Sequence, residues 1–148
     1  MQGLANFKSA FAQFQQLRRL NLSNNKLCAE EGNETKHLRE IFLSVASTLE
    51  TLQIAENSIC DSEMTEFLQL PISSMPLLKS LDLSRNPLTG NSIVSLYAEI
   101  VKSEYPLENL NITGCQLMNH GLAELLREVE QPGSCITYLN LTACRLTE

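Results

Sequence analysis

The 148-residue sequence lacks several features that would point to a membrane protein or an enzyme. It has no run of 18 apolar residues, and residues 1–16 lack the apolar core of a signal peptide. It has no CxxC pair and no glycine-rich phosphate loop, which excludes common zinc and nucleotide motifs. Its net charge of −6 disfavours nonspecific binding to nucleic acid or to an anionic membrane. A protein partner remains compatible with all of these absences.

The cysteines are few and odd in number, which disfavours a disulfide framework in a chain of this length. They are Cys28, Cys60, Cys115, Cys135 and Cys144. We therefore expect reduced thiols and an intracellular location, in the nucleus or the cytoplasm.

One pattern of alternating leucines occurs five times. Residues 17–27 read LRRLNLSNNKL, and the equivalents are LETLQIAENSI, LKSLDLSRNPL, LENLNITGCQL and ITYLNLTACRL. They begin at residues 17, 49, 78, 107 and 136, so the intervals are 32, 29, 29 and 29 residues. Each segment fits L-x-x-L-x-L-x-x-N/C-x-L, the leucine-rich repeat signature.

The alternation predicts the architecture. In a strand, the leucines point to one face and the polar residues to the other. A single strand cannot bury its apolar face alone, whereas stacked repeats form a parallel sheet with a continuous core. We therefore predict an α/β leucine-rich repeat solenoid of one domain over residues 1–148.

Helical patterns fill the intervals between the strands. Apolar residues recur with helical spacing in three sets: Leu38, Ile41, Phe42 and Val45; Ile93, Leu96, Ile100 and Val101; and Leu122, Leu125, Leu126 and Val129. Asp61, Asn91 and Asn119 are predicted helix N-caps. Met64, Phe67 and Leu68 predict a short helix that ends before Pro71, followed by a loop from Pro71 to Pro76.

A 29-residue repeat that contains a full helix resembles the ribonuclease-inhibitor-like class of leucine-rich repeats. This resemblance implies a right-handed α/β horseshoe, with parallel strands on the concave face and helices on the convex face. Residues 1–16 are expected to form a capping helix or half repeat. The last repeat, from residue 136, lacks a covering helix, so we expect a truncated array or an end that a partner covers.

The ninth position of each repeat is predicted to stabilise the turn after the strand. An asparagine amide can bond the backbone of the adjacent coil, and a cysteine thiol is a weaker substitute. These residues are Asn25, Asn57, Asn86, Cys115 and Cys144.

The outward positions of the strands form the candidate binding surface. They are polar and nearly neutral, and could bind a protein through many hydrogen bonds. The third-position column is Arg19, Thr51, Ser80, Asn109 and Tyr138, and the fifth-position column is Asn21, Gln53, Asp82, Asn111 and Asn140. Arg19 and Tyr138 are residue types that are favoured at binding hot spots.

Catalytic chemistry has little support in the sequence. His37 and His120 lie in helical segments and are expected at the surface, and no serine has a nucleophile-elbow context. We predict no catalytic residue, no metal and no cofactor. The charged segment 28–34 could suggest a cation site, but a solvated loop is expected there.

The order of departures from the repeat resembles the C-terminal leucine-rich repeats of the Tonsoku-like family over residues 7–148. Four features carry the resemblance: an insertion around EEGNET; the segment SLDLSRNP, which is followed by SIVSL; the change from asparagine to cysteine in LNITGCQL; and a short last repeat. The resemblance implies a nuclear scaffold in homologous-recombination repair of stalled replication forks. Its partner would be a large repair-complex subunit, bound without direct contact to nucleic acid.

Two other functions use similar repeat arrays. Nucleotide-binding innate immune receptors use one as a sensing domain, but their turns usually alternate asparagine and cysteine, unlike the order here. GTPase-activating proteins of the Ran type have an acidic tail, which this chain lacks. Arg18, Arg19 and Arg85 also form no recognisable finger loop.

Overall fold

The structure, a computed structural model, describes residues 10–147 apart from residues 12, 29–33 and 66–68. Five three-residue strands form one parallel sheet in chain order. The strands are β1 (Arg19–Asn21), β2 (Thr51–Gln53), β3 (Ser80–Asp82), β4 (Asn109–Asn111) and β5 (Tyr138–Asn140). We call the strand and the segment that follows it coils 1 to 5. This sheet confirms the predicted α/β solenoid.

Helices alternate with the strands. They are α1 (Glu34–Val45), α2 (Asp61–Glu63), α3 (Gln69–Ile72), α4 (Gly90–Lys102) and α5 (Met118–Val129). No helix in the described ranges is both long and apolar enough to cross a membrane. The predicted N-terminal helix over residues 1–16 lies mostly outside the described residues.

The core lies between the sheet and the helices. The central leucine of each inner strand is buried, and the predicted apolar face of α1 is buried against it. The face predicted for α4 is also buried, from Ile93 to Val101. Of the four residues predicted for the apolar face of α5, Leu125 is buried, Leu122 and Val129 are half-buried, and Leu126 is 43 % exposed. The helical spacing is therefore confirmed, but it does not give the depth of each residue.

The prediction that a helix ends before Pro71 is wrong, because Pro71 lies within α3. It is the third residue of that helix. The first N–H groups of a helix have no partner within it, so proline costs little there. The residues predicted to precede it in a helix, Phe67 and Leu68, lie outside the described part of the chain.

The three predicted N-caps are also wrong. The N-caps are Cys60 for α2, Thr89 for α4 and Leu117 for α5. The Asp61 carboxylate instead accepts hydrogen bonds from the N–H and hydroxyl of Thr89, at 2.9 and 2.7 Å. Asn119 makes the equivalent contact with the backbone of Thr147, in both directions at 3.0 Å. These side chains therefore join neighbouring coils.

The contact between Asp61 and Thr89 predicts a pH-dependent stability. Burial by itself raises the pKa of Asp61, but hydrogen bonds from Thr89 and Ser92 outweigh it, so the pKa lies below 3.8, its ordinary value. A depressed carboxyl pKa stabilises the fold above the unfolded pKa, and this contribution is lost as the pH falls through the folded pKa. The free energy of unfolding should therefore fall less below about pH 4 in Asp61→Asn than in the wild type.

Urea denaturation at a series of pH values from about 2.5 to 6 would measure this difference. Asn119→Asp is a matched control, because it introduces a carboxyl at the equivalent position of α5. Parallel pH curves for Asp61→Asn and the wild type would contradict the prediction.

Candidate functional site

The parallel register places the predicted binding residues in two straight columns. Arg19, Thr51, Ser80, Asn109 and Tyr138 pair in order across the sheet, and so do Asn21, Gln53, Asp82, Asn111 and Asn140. We call this surface the concave face. Neighbouring strands lie about 4.8 Å apart, so each column is about 19 Å long.

The two ends of the concave face are its most exposed parts. Arg19 and Tyr138 are both exposed. The third-column side chains lie on the face of the sheet opposite to that of the buried leucines. The residues between these ends are half-buried. Within the described residues, the Tyr138 hydroxyl has one hydrogen bond, which it accepts from the Asn140 amide nitrogen at 3.4 Å.

The fifth column has a structural task that the repeat pattern did not reveal. The Oδ1 atoms of Asn21, Asp82, Asn111 and Asn140 accept hydrogen bonds from the backbone N–H two residues later, at 2.9 to 3.1 Å. This is an Asx turn, in which a short polar side chain holds the backbone as it leaves the strand. The spacing of Asn or Asp two residues before Ser or Thr is the sequence signal that identifies it.

Coil 2 is the exception in this column. Gln53 has a longer side chain and makes no such bond within the described residues. The N–H of Ala55 instead donates to the Ser23 hydroxyl of coil 1, at 3.1 Å. In each coil, the N–H two residues after the fifth-column position therefore has a side-chain acceptor. The acceptor belongs to the same coil, except for Ala55, whose acceptor belongs to the preceding coil.

Ion pairs lie beside the columns. Glu50 contacts Arg18 at 3.2 Å and Lys79 at 4.0 Å, which joins the residues before the first three strands. Arg85 pairs with Glu56 at 2.6 Å in the turns after β2 and β3. Apart from the half-buried Glu50, these groups are exposed, so their effect is mainly to neutralise charge around the face.

The predicted turn residues join adjacent coils through hydrogen bonds. The Asn57 amide donates to the Leu22 carbonyl of coil 1 and accepts from the N–H of Asn25, both at 2.9 Å. Asn86 repeats this one coil later, with Ile54 and Asn57 as its partners at 3.0 Å. Asn25 is different, because the bonds that its side chain donates within the described residues go to carbonyls of its own coil.

The two cysteines in this series donate to carbonyls of the preceding coil. The Cys115 thiol contacts Leu83 at 3.6 Å, and the Cys144 thiol contacts Ile112 at 3.0 Å. Burial raises the pKa of Cys115 to about 12, against the opposing effect of a hydrogen bond from Asn86 N–H. Burial likewise raises the pKa of Cys144. Both thiols are therefore protonated at neutral pH, which suits a structural role and not a nucleophilic one.

The histidines lie away from the concave face, on α1 and α5. His37 is near Glu40, and His120 contacts Glu124 at 3.2 Å. Among the described residues, no group of three His, Cys, Asp or Glu side chains is placed to hold a metal ion. Most of the charged segment 28–34, for which a solvated loop was predicted, lies outside the described residues.

Comparison with known proteins agrees with this geometry. The family model "Leucine Rich Repeat" matches residues 16–41 and 77–98. The fold is a leucine-rich repeat solenoid. A search of curated protein sequences finds no significant match.

Two solved structures have a similar fold. The tropomodulin C-terminal domain from Caenorhabditis elegans is 17 % identical, with a TM-score of 0.73, over 93 % of this chain and 81 % of that chain. The structure titled "Leiomodin-1 Actin-Binding Site 2" is 15 % identical, with a TM-score of 0.64, over 93 % of this chain and 75 % of that one. At these identities, the likeness supports the leucine-rich repeat fold alone.

Proposed function

We propose that this leucine-rich repeat domain is a non-catalytic protein-interaction module and that its concave face binds the partner. The main support is the pair of straight, polar columns, which present ten side chains on one surface. The strand backbone of coils 2, 3 and 4 is paired on both sides. A partner that lies on this face therefore meets side chains and not free strand backbone.

The dimensions of the face limit what it can achieve alone. It spans about 19 Å across the strands, which suits one peptide segment or one helix. A stable protein interface usually buries about 800 Å² on each partner. We therefore infer that affinity depends on a few well-placed side chains, with Arg19 and Tyr138 at the two ends as the strongest candidates.

The finer proposal is the partner-binding repeat domain of a Tonsoku-like protein in the nucleus. It is supported by the order of departures from the repeat, including the change from Asn86 to Cys115 and Cys144 at the ninth position. The partner would then be a large helical subunit of a complex for homologous-recombination repair.

Actin is a second candidate partner, because a similar fold occurs in the structure titled as an actin-binding site of leiomodin-1. Co-sedimentation of the domain with filamentous actin, together with binding to monomeric actin, separates this candidate from the repair scaffold. Saturable binding that the concave-face variants weaken would favour actin.

Substitution at the ends of the concave face should weaken partner capture. We expect Arg19→Glu and Tyr138→Ala each to cost about 2 kcal/mol of binding free energy, since both are exposed hot-spot residue types. The measurement is capture from nuclear and cytosolic extracts, identification of the captured protein, and titration with that protein once purified.

Matched changes on the helical side serve as controls. Arg127→Glu makes the same charge change on exposed α5, and Leu43→Ala truncates an exposed side chain on α1. All four variants should keep the thermal stability of the wild type within a few degrees. Equal affinity of the wild type and both concave-face variants would sink the proposal and direct attention to the helices.

A further inference from the structure

The Asx turns determine which atoms of the concave face remain for a partner. The backbone N–H groups of Ser23 and Thr113 are donors, so the amide atom that meets them is the oxygen of Asn21 or Asn111. The amide nitrogens of these two asparagines have no hydrogen-bond partner within the described residues. Each of these asparagines therefore presents a free NH2 donor on the fifth column, while its oxygen already has one of its two lone pairs in use.

Coil 5 adds a further hydrogen-bond donor to the concave face. The Asn140 oxygen accepts from both the N–H and the hydroxyl of Thr142, at 3.1 and 2.7 Å. Its amide nitrogen contacts the Tyr138 oxygen, which leaves the phenolic proton of Tyr138 for an outside acceptor. Arg19 in coil 1 is also a donor alone.

Asp82 is the exception in the middle of the face. Its Oδ1 atom forms the same turn, with Ser84 N–H at 2.9 Å. The rest of the carboxylate has no ion pair or second hydrogen bond within the described residues. The nearby cations are used elsewhere, since Lys79 contacts Glu50 and Arg85 contacts Glu56. Asp82 is thus an unpaired negative charge between rows of donors.

The two charged side chains of the columns, Arg19 and Asp82, have no ion pair among the described residues and stand at a fixed separation. Arg19 and Asp82 lie two strands apart and two positions apart along the strand, which places their Cα atoms about 12 Å from each other. An extended peptide rises about 3.3 Å per residue, so three or four residues cover this distance. A helix hides its main-chain carbonyls in its own hydrogen bonds, whereas an extended segment leaves them for the donor row.

We propose, on the basis of the function proposed above, that the concave face recognises an extended protein segment with one acidic and one basic side chain three or four residues apart. The acidic side chain pairs with Arg19, and the basic side chain pairs with Asp82. Main-chain carbonyl or amide oxygens of the same segment accept hydrogen bonds from Asn111 and Tyr138.

A peptide library tests this directly. A random 12-residue library displayed on phage is selected on the immobilised 148-residue chain, and the enriched sequences are synthesised with a fluorescent label. The enriched peptides should contain an acidic and a basic residue at this spacing. Their affinity, measured by fluorescence anisotropy, should fall about tenfold with Asp82→Asn and to a similar extent when the basic residue of the peptide is replaced by glutamine. The two changes together should cost little more than one of them.

Asn111→Asp provides a second variant with the same backbone contact. Like Asp82→Asn, it keeps an oxygen for the Asx turn, so both variants should fold as the wild type does. It removes a donor and adds a negative charge, and should therefore weaken binding of the same peptides. Arg127→Gln on α5 makes the same change in net charge as Asn111→Asp and serves as its control.

The outcomes separate this inference from the proposed function. Peptides that Tyr138→Ala releases, but that bind Asp82→Asn and Asn111→Asp as tightly as the wild type, would overturn the charge pattern and leave the concave-face function intact. Peptides indifferent to both Tyr138→Ala and Arg19→Glu would overturn both. A selection that enriches no peptide would also count against the inference.

Discussion

Replacement of Asn86 with alanine is expected to destabilise the domain by about 3 kcal/mol or more. The side chain is buried, and its oxygen accepts hydrogen bonds from the N–H groups of Asn57 and Ile59, at 3.0 and 3.1 Å. Its nitrogen donates to the carbonyls of Ile54 and Leu83. Truncation leaves these buried backbone groups unpaired, at about 1–3 kcal/mol for each group that water cannot reach.

Urea denaturation followed by circular dichroism gives the free energy of unfolding. Asn25→Ala is the control, because that side chain is exposed and, in the part of the chain that the structure describes, donates to carbonyls of its own coil alone. It should cost less than about 1 kcal/mol, since water replaces the lost bonds. Asn86→Cys should lie between the two, because the thiols of Cys115 and Cys144 each keep a bond to the preceding coil. Equal losses for Asn86→Ala and Asn25→Ala would show that these bonds do not hold the coils together.

The repeat spacing was sufficient to predict the sheet. A parallel solenoid requires equivalent residues to lie side by side, so the alignment of five sequence segments gives the register of Arg19 with Thr51 and of Asn109 with Tyr138. The direction of each side chain follows from the alternation along the strand. This is why the composition of the candidate face could be predicted, whereas its role in binding stays a prediction.

The hydrogen bonds between coils were harder to predict. Asp61 and Asn119 precede helical patterns, and a rule based on local sequence assigns such residues as N-caps. Their side chains instead reach the equivalent segment 28 residues later, at Thr89 and Thr147. Local rules do not include contacts at the repeat distance, although the period itself contains the information. The same applies to Ser23, which bonds Ala55 of the next coil.

Replacement of Gly90 with alanine is expected to cost about 2–3 kcal/mol, because α4 and α5 meet at this residue. A Cβ atom at position 90 would lie 2.7 Å from the Gly121 Cα atom and 2.9 Å from the Leu117 carbonyl oxygen. Both are backbone atoms, so no side-chain rotation relieves the clash, and one helix must move. Gly121→Ala meets Gly90 at 2.8 Å from the other side and should have a similar cost. The double variant should cost less than the sum, since one displacement of the helices serves both methyl groups.

Gly114→Ala is the informative comparison with Gly90→Ala. By backbone conformation alone, Gly114 looks less tolerant of a side chain than Gly90. Its φ is 74°, a left-handed conformation, but its nearest neighbour for a Cβ atom is the Arg85 side chain at 3.4 Å. Four other coils place a non-glycine residue at the equivalent turn position with φ of 54° to 58°: Asn24, Glu56, Arg85 and Ala143. The fold therefore accepts a side chain there, at about 1 kcal/mol for the left-handed conformation. A larger loss for Gly114→Ala than for Gly90→Ala, measured by urea denaturation, would mean that turn conformation limits this solenoid more than the contact between its helices.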